Sequence, residues 1–194
     1  MIVYAFFPVV FSIHQLIEGV NWYALAWPFA GDDLFLYLYS IIAFGFWPIC
    51  IPLAAAIAEE RSFWRKVWYA MAVCGAALSI YLWSKLARAD GFEVSVVDHS
   101  LAYKPLFDDP PLIVFVIYVA LIVLPSVLFP NKAINVFGWL VLGSFLLSVL
   151  KSRPAWYSVW CMAAAVFSLA IAFAIESPRC EPERMDGDQS SFQR

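Results

Sequence analysis

Six stretches of this chain are too long and too apolar to wrap around a core and still face water. Residues 34–58 carry no charge over 25 positions. Residues 67–84, 112–129 and 133–150 are each uncharged for 18, and 155–175 for 21. Residues 2–30 hold a single charge, Glu18. A bilayer's hydrocarbon layer is about 30 Å thick and is crossed by roughly 20 helical residues. Inside it every backbone N–H and C=O must be paired within the segment, which selects helices. A β-barrel is excluded, because its strands would alternate over about ten residues and these runs are continuous. The prediction is an all-α integral membrane protein, a bundle of six transmembrane helices. They fall at about 2–28, 34–58, 64–87, 111–130, 132–151 and 155–176. Together they form one domain, 1–175, followed by a polar tail, 177–194, expected to be disordered.

Composition agrees with this reading. The chain is 63% hydrophobic and 14% charged, whereas soluble domains are about 25% charged. No segment outside the helices is long enough for a soluble domain. The net charge is −3 and no basic patch exists, so nucleic acid is not expected as a partner. The expected partners are the lipid bilayer and a membrane protein or a second copy of the chain. Cys50, Cys74, Cys161 and Cys180 form no Cys-x-x-Cys pair, which indicates neither a disulfide framework nor a thiolate metal site. The first apolar segment lacks a basic leader and is too long for a signal core, so it is expected to remain as helix 1.

The links set an orientation. The first, 28–33, is acidic, and the second, 59–66, holds three basic residues. With both termini cytoplasmic the inner side collects seven Lys/Arg and the outer side five, a small excess in the positive-inside direction. The link 151–154, with two basic residues, falls on the outer side, so the first two links decide the orientation. Tryptophans mark the ends of spans: Trp22 and Trp27 close the first, Trp64 and Trp68 open the third, and Trp156 and Trp160 open the sixth. The one long loop, 85–110, is then outside and is expected to fold over the mouth of the bundle. Within it Phe92, Val94 and Val96 alternate with Glu93 and Ser95, the pattern of a short strand.

Helix 1 carries the candidate site. His14, Gln15, Glu18 and Asn21 form a polar stripe on a helix, with Trp22 beside it. A charge at the bilayer centre costs roughly 2.5–3.5 kcal/mol on insertion scales, so the stripe should face the bundle interior. Helix 2 adds Pro48 and Pro52. Each removes a backbone donor, which is expected to free the carbonyls of Phe44 and Pro48, while Gly45 permits close approach. Gly75 and Ser79, and Ala72 and Ala76, have the small-residue spacing that lets helices touch. The loop contributes Asp98, His99, Ser100 and Tyr103. If it folds inward, His99 with His14 and Glu18 would supply the ligand types of a zinc or iron site, although no H-E-x-x-H or H-x-x-x-H spacing is present.

Residues 7–22 ("FPVVFSIHQLIEGVNW"), 46–60 ("FWPICIPLAAAIAEE") with 61–66 ("RSFWRK") after it, and 97–103 ("VDHSLAY") occur in that order. In this the chain resembles an uncharacterised family of small bacterial polytopic membrane proteins. The likeness extends to about residue 175. Its most specific motif, Gln-x-x-Glu-Gly-x-x-Trp, maps onto Gln15, Glu18, Gly19 and Trp22, and its loop motif onto His99 and Tyr103. The resemblance implies a bacterial inner-membrane location. It departs in two places. Family members often carry one more N-terminal helix, which would make seven. The position of His14 is often glutamine, which moves the emphasis to Glu18 and His99.

Three functions fit these residues. The first is a non-catalytic membrane subunit or scaffold, suggested by short links and the lack of a catalytic domain. The second is a small-solute or proton/ion-coupled transporter using Glu18. The third is a metal- or haem-dependent intramembrane enzyme using Glu18 and His99. The leading expectation is the first, without enzymatic activity.

Overall fold

The computed structural model describes residues 2–151 and 153–176. The tail, 177–194, and the expectation of disorder there lie outside the described residues. Six helical rods form. The first is α1 (Ile2–Ala5) followed by α2 (Phe7–Ala26). The break at Phe6 follows from Pro8, which has no N–H and whose ring crowds the carbonyl four residues back. The rod stops at Ala26 because Trp27 precedes Pro28 and is driven out of helical conformation.

The second rod starts at α3 (Asp33–Ile41), where the Asp32 carboxylate accepts the Asp33 N–H at 2.9 Å. It passes through a π-helical turn (Ile42–Phe46) into α4 (Trp47–Ala58). A tight link leads to α5 (Ser62–Leu86). Then come β1 (Phe92–Val97) and β2 (Ser100–Pro105), α6 (Leu112–Val127), α7 (Lys132–Lys151), a 3-10 turn (Arg153–Ala155) and α8 (Trp156–Glu176). Pro130 limits α6, and the Asn131 side chain caps α7 by accepting from Ala133 N at 3.0 Å.

One expectation needs correction. The fold is not purely α, because β1 and β2 pair antiparallel from Phe92 opposite Pro105 to Val97 opposite Ser100. The alternation over 92–96 marks the first strand. Its partner carries no such alternation: Leu101, Ala102 and Tyr103 are all buried, and that continuous burial hid it. Among the described residues four helices are long and apolar enough to cross a membrane by length and composition, at 3–26, 33–58, 62–86 and 132–151, while α6 is shorter.

The rods pack in a closed order. α2 lies between α3 and α8, α8 against α7, α7 against α6, α6 against α4, and α4 against α5. Trp47 sits at the centre, stacked on Phe11 at 3.9 Å and edge-on to Phe7. α4 and α5 touch closely because Gly75 has no side chain. A Cβ there would lie 2.0 Å from the Pro48 carbonyl oxygen.

The π turn decides how the second rod is held. In a π turn the backbone register slips by one residue, and Pro48 cannot donate at all. Besides the carbonyls of Phe44 and Pro48, which the prolines deprive of their helical donors, three more in this stretch, those of Ile41, Ala43 and Gly45, accept bonds from outside the rod. Other helices supply the donors. Trp83 Nε1 donates to Ile41 O at 3.1 Å, Tyr118 OH to Ala43 O at 2.7 Å, and Ser79 Oγ to Gly45 O at 2.9 Å.

Candidate functional site

The buried face of α2 reads Phe7, Phe11, His14, Glu18 and Asn21, spaced alternately four and three residues as one helix face requires. His14 is fully buried. Its Nε2 lies 3.2 Å from the Tyr39 carbonyl oxygen. A carbonyl can only accept, so neutral His14 carries its proton on Nε2 and presents a lone pair at Nδ1. Ser158, from the start of α8, donates its hydroxyl to Glu18 Oε1. Asn21 Nδ2 reaches the Phe35 carbonyl at 3.4 Å and the Tyr103 hydroxyl at 3.3 Å. Gln15 is half-buried with its side chain close to the Glu18 carboxyl, though its Nε2 completes no hydrogen bond there.

Aromatic rings bind this cluster together. Tyr39 is sandwiched, with His14 on one face at 4.3 Å and Tyr103 on the other at 4.4 Å. α2, α3 and the hairpin thus meet in one three-ring stack. Cys161 of α8 closes the far side, next to Tyr39 and Glu18. Burial pushes the Tyr103 phenol up, and the nearby Glu18 adds to the effect while the Asn21 hydrogen bond opposes it. Tyr103 therefore stays a neutral hydroxyl at physiological pH. It accepts from Asn21 and keeps its own proton uncommitted. Five buried polar atoms here have no hydrogen-bond partner among the described residues: His14 Nδ1, Gln15 Nε2, Glu18 Oε2, Asn21 Oδ1 and Tyr39 OH. Buried polar atoms are usually paired; three more without a partner, on Tyr4, Trp47 and Ser126, lie scattered through the described core, whereas here five converge.

The other sequence candidates lie apart from it. Trp22 is on the exposed side of α2. Asp98 and His99 form the two-residue tip of the hairpin, with φ of 50° and 61°, the left-handed pair that a tight hairpin turn demands. Both are exposed. The loop does fold inward, but it inserts Leu101 and Tyr103 and points His99 away. The set His14, Glu18 and His99 is not assembled. Among the described residues no three His, Cys, Asp or Glu side chains are placed to hold a metal ion. Tyr39, Ser158 and Cys161 were not among the sequence candidates. Each is one polar or sulfur-bearing residue in an apolar run, with no spacing signal to set it apart.

Beside the cluster the hairpin roofs a cleft of about 710 Å³. Its walls are aromatic: Phe44, Tyr103, Phe115, Tyr118, Trp156 and Tyr157. Glu93, Lys104, Asp109 and Arg153 supply its charges. Tyr103 belongs to both places, its ring lining the cleft and its hydroxyl held by Asn21.

A second charged centre lies in the turn between α4 and α5. The Glu59 carboxylate accepts Arg61 Nε and Nη2, both at 2.8 Å, together with Arg61 N at 3.1 Å and Trp68 Nε1 at 3.3 Å. The Arg61 hydrogen bonds hold its pKa down to about 2, against the opposing effect of burial. Trp68 is almost completely buried, which makes this turn a rigid staple and not an open site.

No curated protein and no solved structure matches this sequence. A family model does match, over residues 2–186. The chain belongs to that family, the family of unknown function DUF6629.

Proposed function

We propose that this chain is a multi-pass membrane protein that binds a small molecule in the hairpin-roofed cleft. The bundle's exterior supports the membrane part. Leu16, Val73, Leu112, Leu147 and Leu150 are all well exposed, and a water-facing bundle does not present leucines and valines around its whole perimeter. The charges of the first two links support an orientation with both termini on the cytoplasmic side of a bacterial inner membrane and the hairpin and cleft outside. The cleft has the size and the mixed lining of small-molecule sites.

Tyr103 is the observation that carries the reading, because it links the cleft to the unpartnered polar cluster. A ligand that displaces or bonds its hydroxyl would be felt at Asn21 and, through the ring stack, at Tyr39 and His14. The test is native mass spectrometry of the chain released from lipid nanodiscs. Wild type should carry one adduct per chain, and Tyr103→Ala should lose most of it while staying helical by circular dichroism. A bare wild-type chain under several gentle release conditions would count against the cleft.

A second reading has its own observation. The Ser158–Glu18 bond ties α8 to the neighbouring α2, as expected if the cluster serves to hold a scaffold or membrane subunit in shape for a protein partner. Glu18→Gln separates the two. It should weaken the bundle in either case, but only the scaffold reading predicts loss of a co-purifying protein with ligand occupancy unchanged.

A further inference from the structure

We infer that the cleft takes a zwitterionic amphiphile from the surrounding membrane, with its head group between Asp109 and Arg153. This rests on the cleft reading above and names its ligand class. Of the four charged residues in the lining, two cancel. Glu93 and Lys104 lie opposite each other on the hairpin ladder and form an ion pair at 3.3 Å. Asp109 and Arg153 line the same cleft, are both exposed, and form no ion pair among the described residues. One anion and one cation therefore remain outside any ion pair among the described residues. A purely anionic head would satisfy Arg153 and be repelled by Asp109, and a purely cationic head would do the reverse. A head group with both charges satisfies both.

The body of the cleft suits the rest of such a molecule. Phe115 packs edge-on to Trp156 at 5.3 Å, and Trp156 lies against Tyr157 at 3.6 Å. Aromatic faces like these accept both hydrocarbon and an ammonium group. The way in indicates the source. Leu112 lines the cleft and is 75% exposed, and it begins an exposed apolar side of α6 that continues through Ile113 and Val116. In an embedded bundle that side faces lipid, so an amphiphile can enter laterally without crossing water.

The experiment titrates four probes into the full chain in nanodiscs and reads occupancy by native mass spectrometry. The probes are lysophosphatidylethanolamine, lysophosphatidylglycerol, a monoacylglycerol, and free phosphoethanolamine. Wild type, Asp109→Asn and Arg153→Gln are compared, all checked for folding by circular dichroism. The zwitterionic lysolipid should bind wild type about tenfold tighter than the anionic or neutral one. Each substitution should cost it about fivefold, and Asp109→Asn should shift preference toward the anionic lipid. Equal or better binding of the neutral or anionic probe to wild type, or zwitterion binding untouched by both substitutions, overturns the inference and leaves the cleft reading standing. Phosphoethanolamine binding as tightly as the lysolipid overturns the membrane source. No occupancy by any probe in folded protein overturns the inference, while an adduct lost in Tyr103→Ala would still uphold the cleft reading.

Discussion

Two buried carboxyl groups in this chain are held by different means, and the difference gives two tests. Glu18 has one hydroxyl donor, Ser158, and no basic residue bonded to it. Ser158→Ala should cost about 1 kcal/mol in unfolding free energy, the usual net worth of a buried hydrogen bond. Ser158→Thr keeps the donor and should stay closer to wild type. An alanine variant as stable as wild type in detergent unfolding would show that Glu18 is held elsewhere. Glu59 has a bidentate arginine, a backbone N–H and an indole. Its folded pKa of about 2 lies below its ordinary value of 4.5, so its contribution to stability is complete above pH 4.5. That contribution is lost as pH falls toward 2. Half of the Arg61 side chain is in solvent, which screens the pair, and about 1–2 kcal/mol is the expected contribution. Glu59→Gln should remove that amount at neutral pH and flatten the acid limb of the stability profile, which unfolding at stepped pH would reveal.

At the level of elements, contacts between helices depend on positions where a side chain is forbidden. Gly75→Ala would push a methyl to 2.0 Å from a backbone oxygen of α4, which cannot swing aside. We expect a loss of about 3 kcal/mol, the upper end for overpacking. Gly45→Ala meets the Trp83 ring at 2.1 Å. A ring can rotate, at the cost of its bond to Ile41 O, so this variant should lose less. Thermal unfolding of the pair should rank Gly75→Ala as the more damaged, and the reverse order would mean α4 and α5 can slide. The hairpin offers the opposite case. His99 occupies a left-handed position that suits glycine better. His99→Gly should stabilise the hairpin by about 0.5 kcal/mol and leave ligand occupancy unchanged. Loss of an adduct in that variant would restore His99 to the site.

For the whole molecule the testable property is orientation. In a background with the native cysteines replaced, Ser95→Cys on the hairpin should react with a membrane-impermeant maleimide in intact cells. Arg65→Cys at the opposite end of α5 should react only after lysis. The inverse pattern would put the cleft in the cytoplasm and leave the charge bias of the links without effect. Both positions are exposed, so a difference in labelling reports sidedness and not burial.

Sequence alone marked the helices, because a continuous uncharged run of 18 or more residues is too long for a strand and, if it crosses lipid, has only one way to pair its own backbone. It also determined that His14, Glu18 and Asn21 share a face, since helical periodicity is a local property. It could mark a strand at 92–96 because one of its faces alternates. Tertiary structure decided the partners. Ser158 lies 140 residues from Glu18, and Tyr103 lies 82 from Asn21. No local pattern encodes such pairings. They arise when α8 and the hairpin pack against α2, and that packing depends on a π turn and on glycines whose significance appears only when a neighbouring backbone fills the space beside them. The choice of Tyr103 over His99 was settled in the same way. A two-residue turn fixes which side chains of β2 face the bundle, and it put the tyrosine inside.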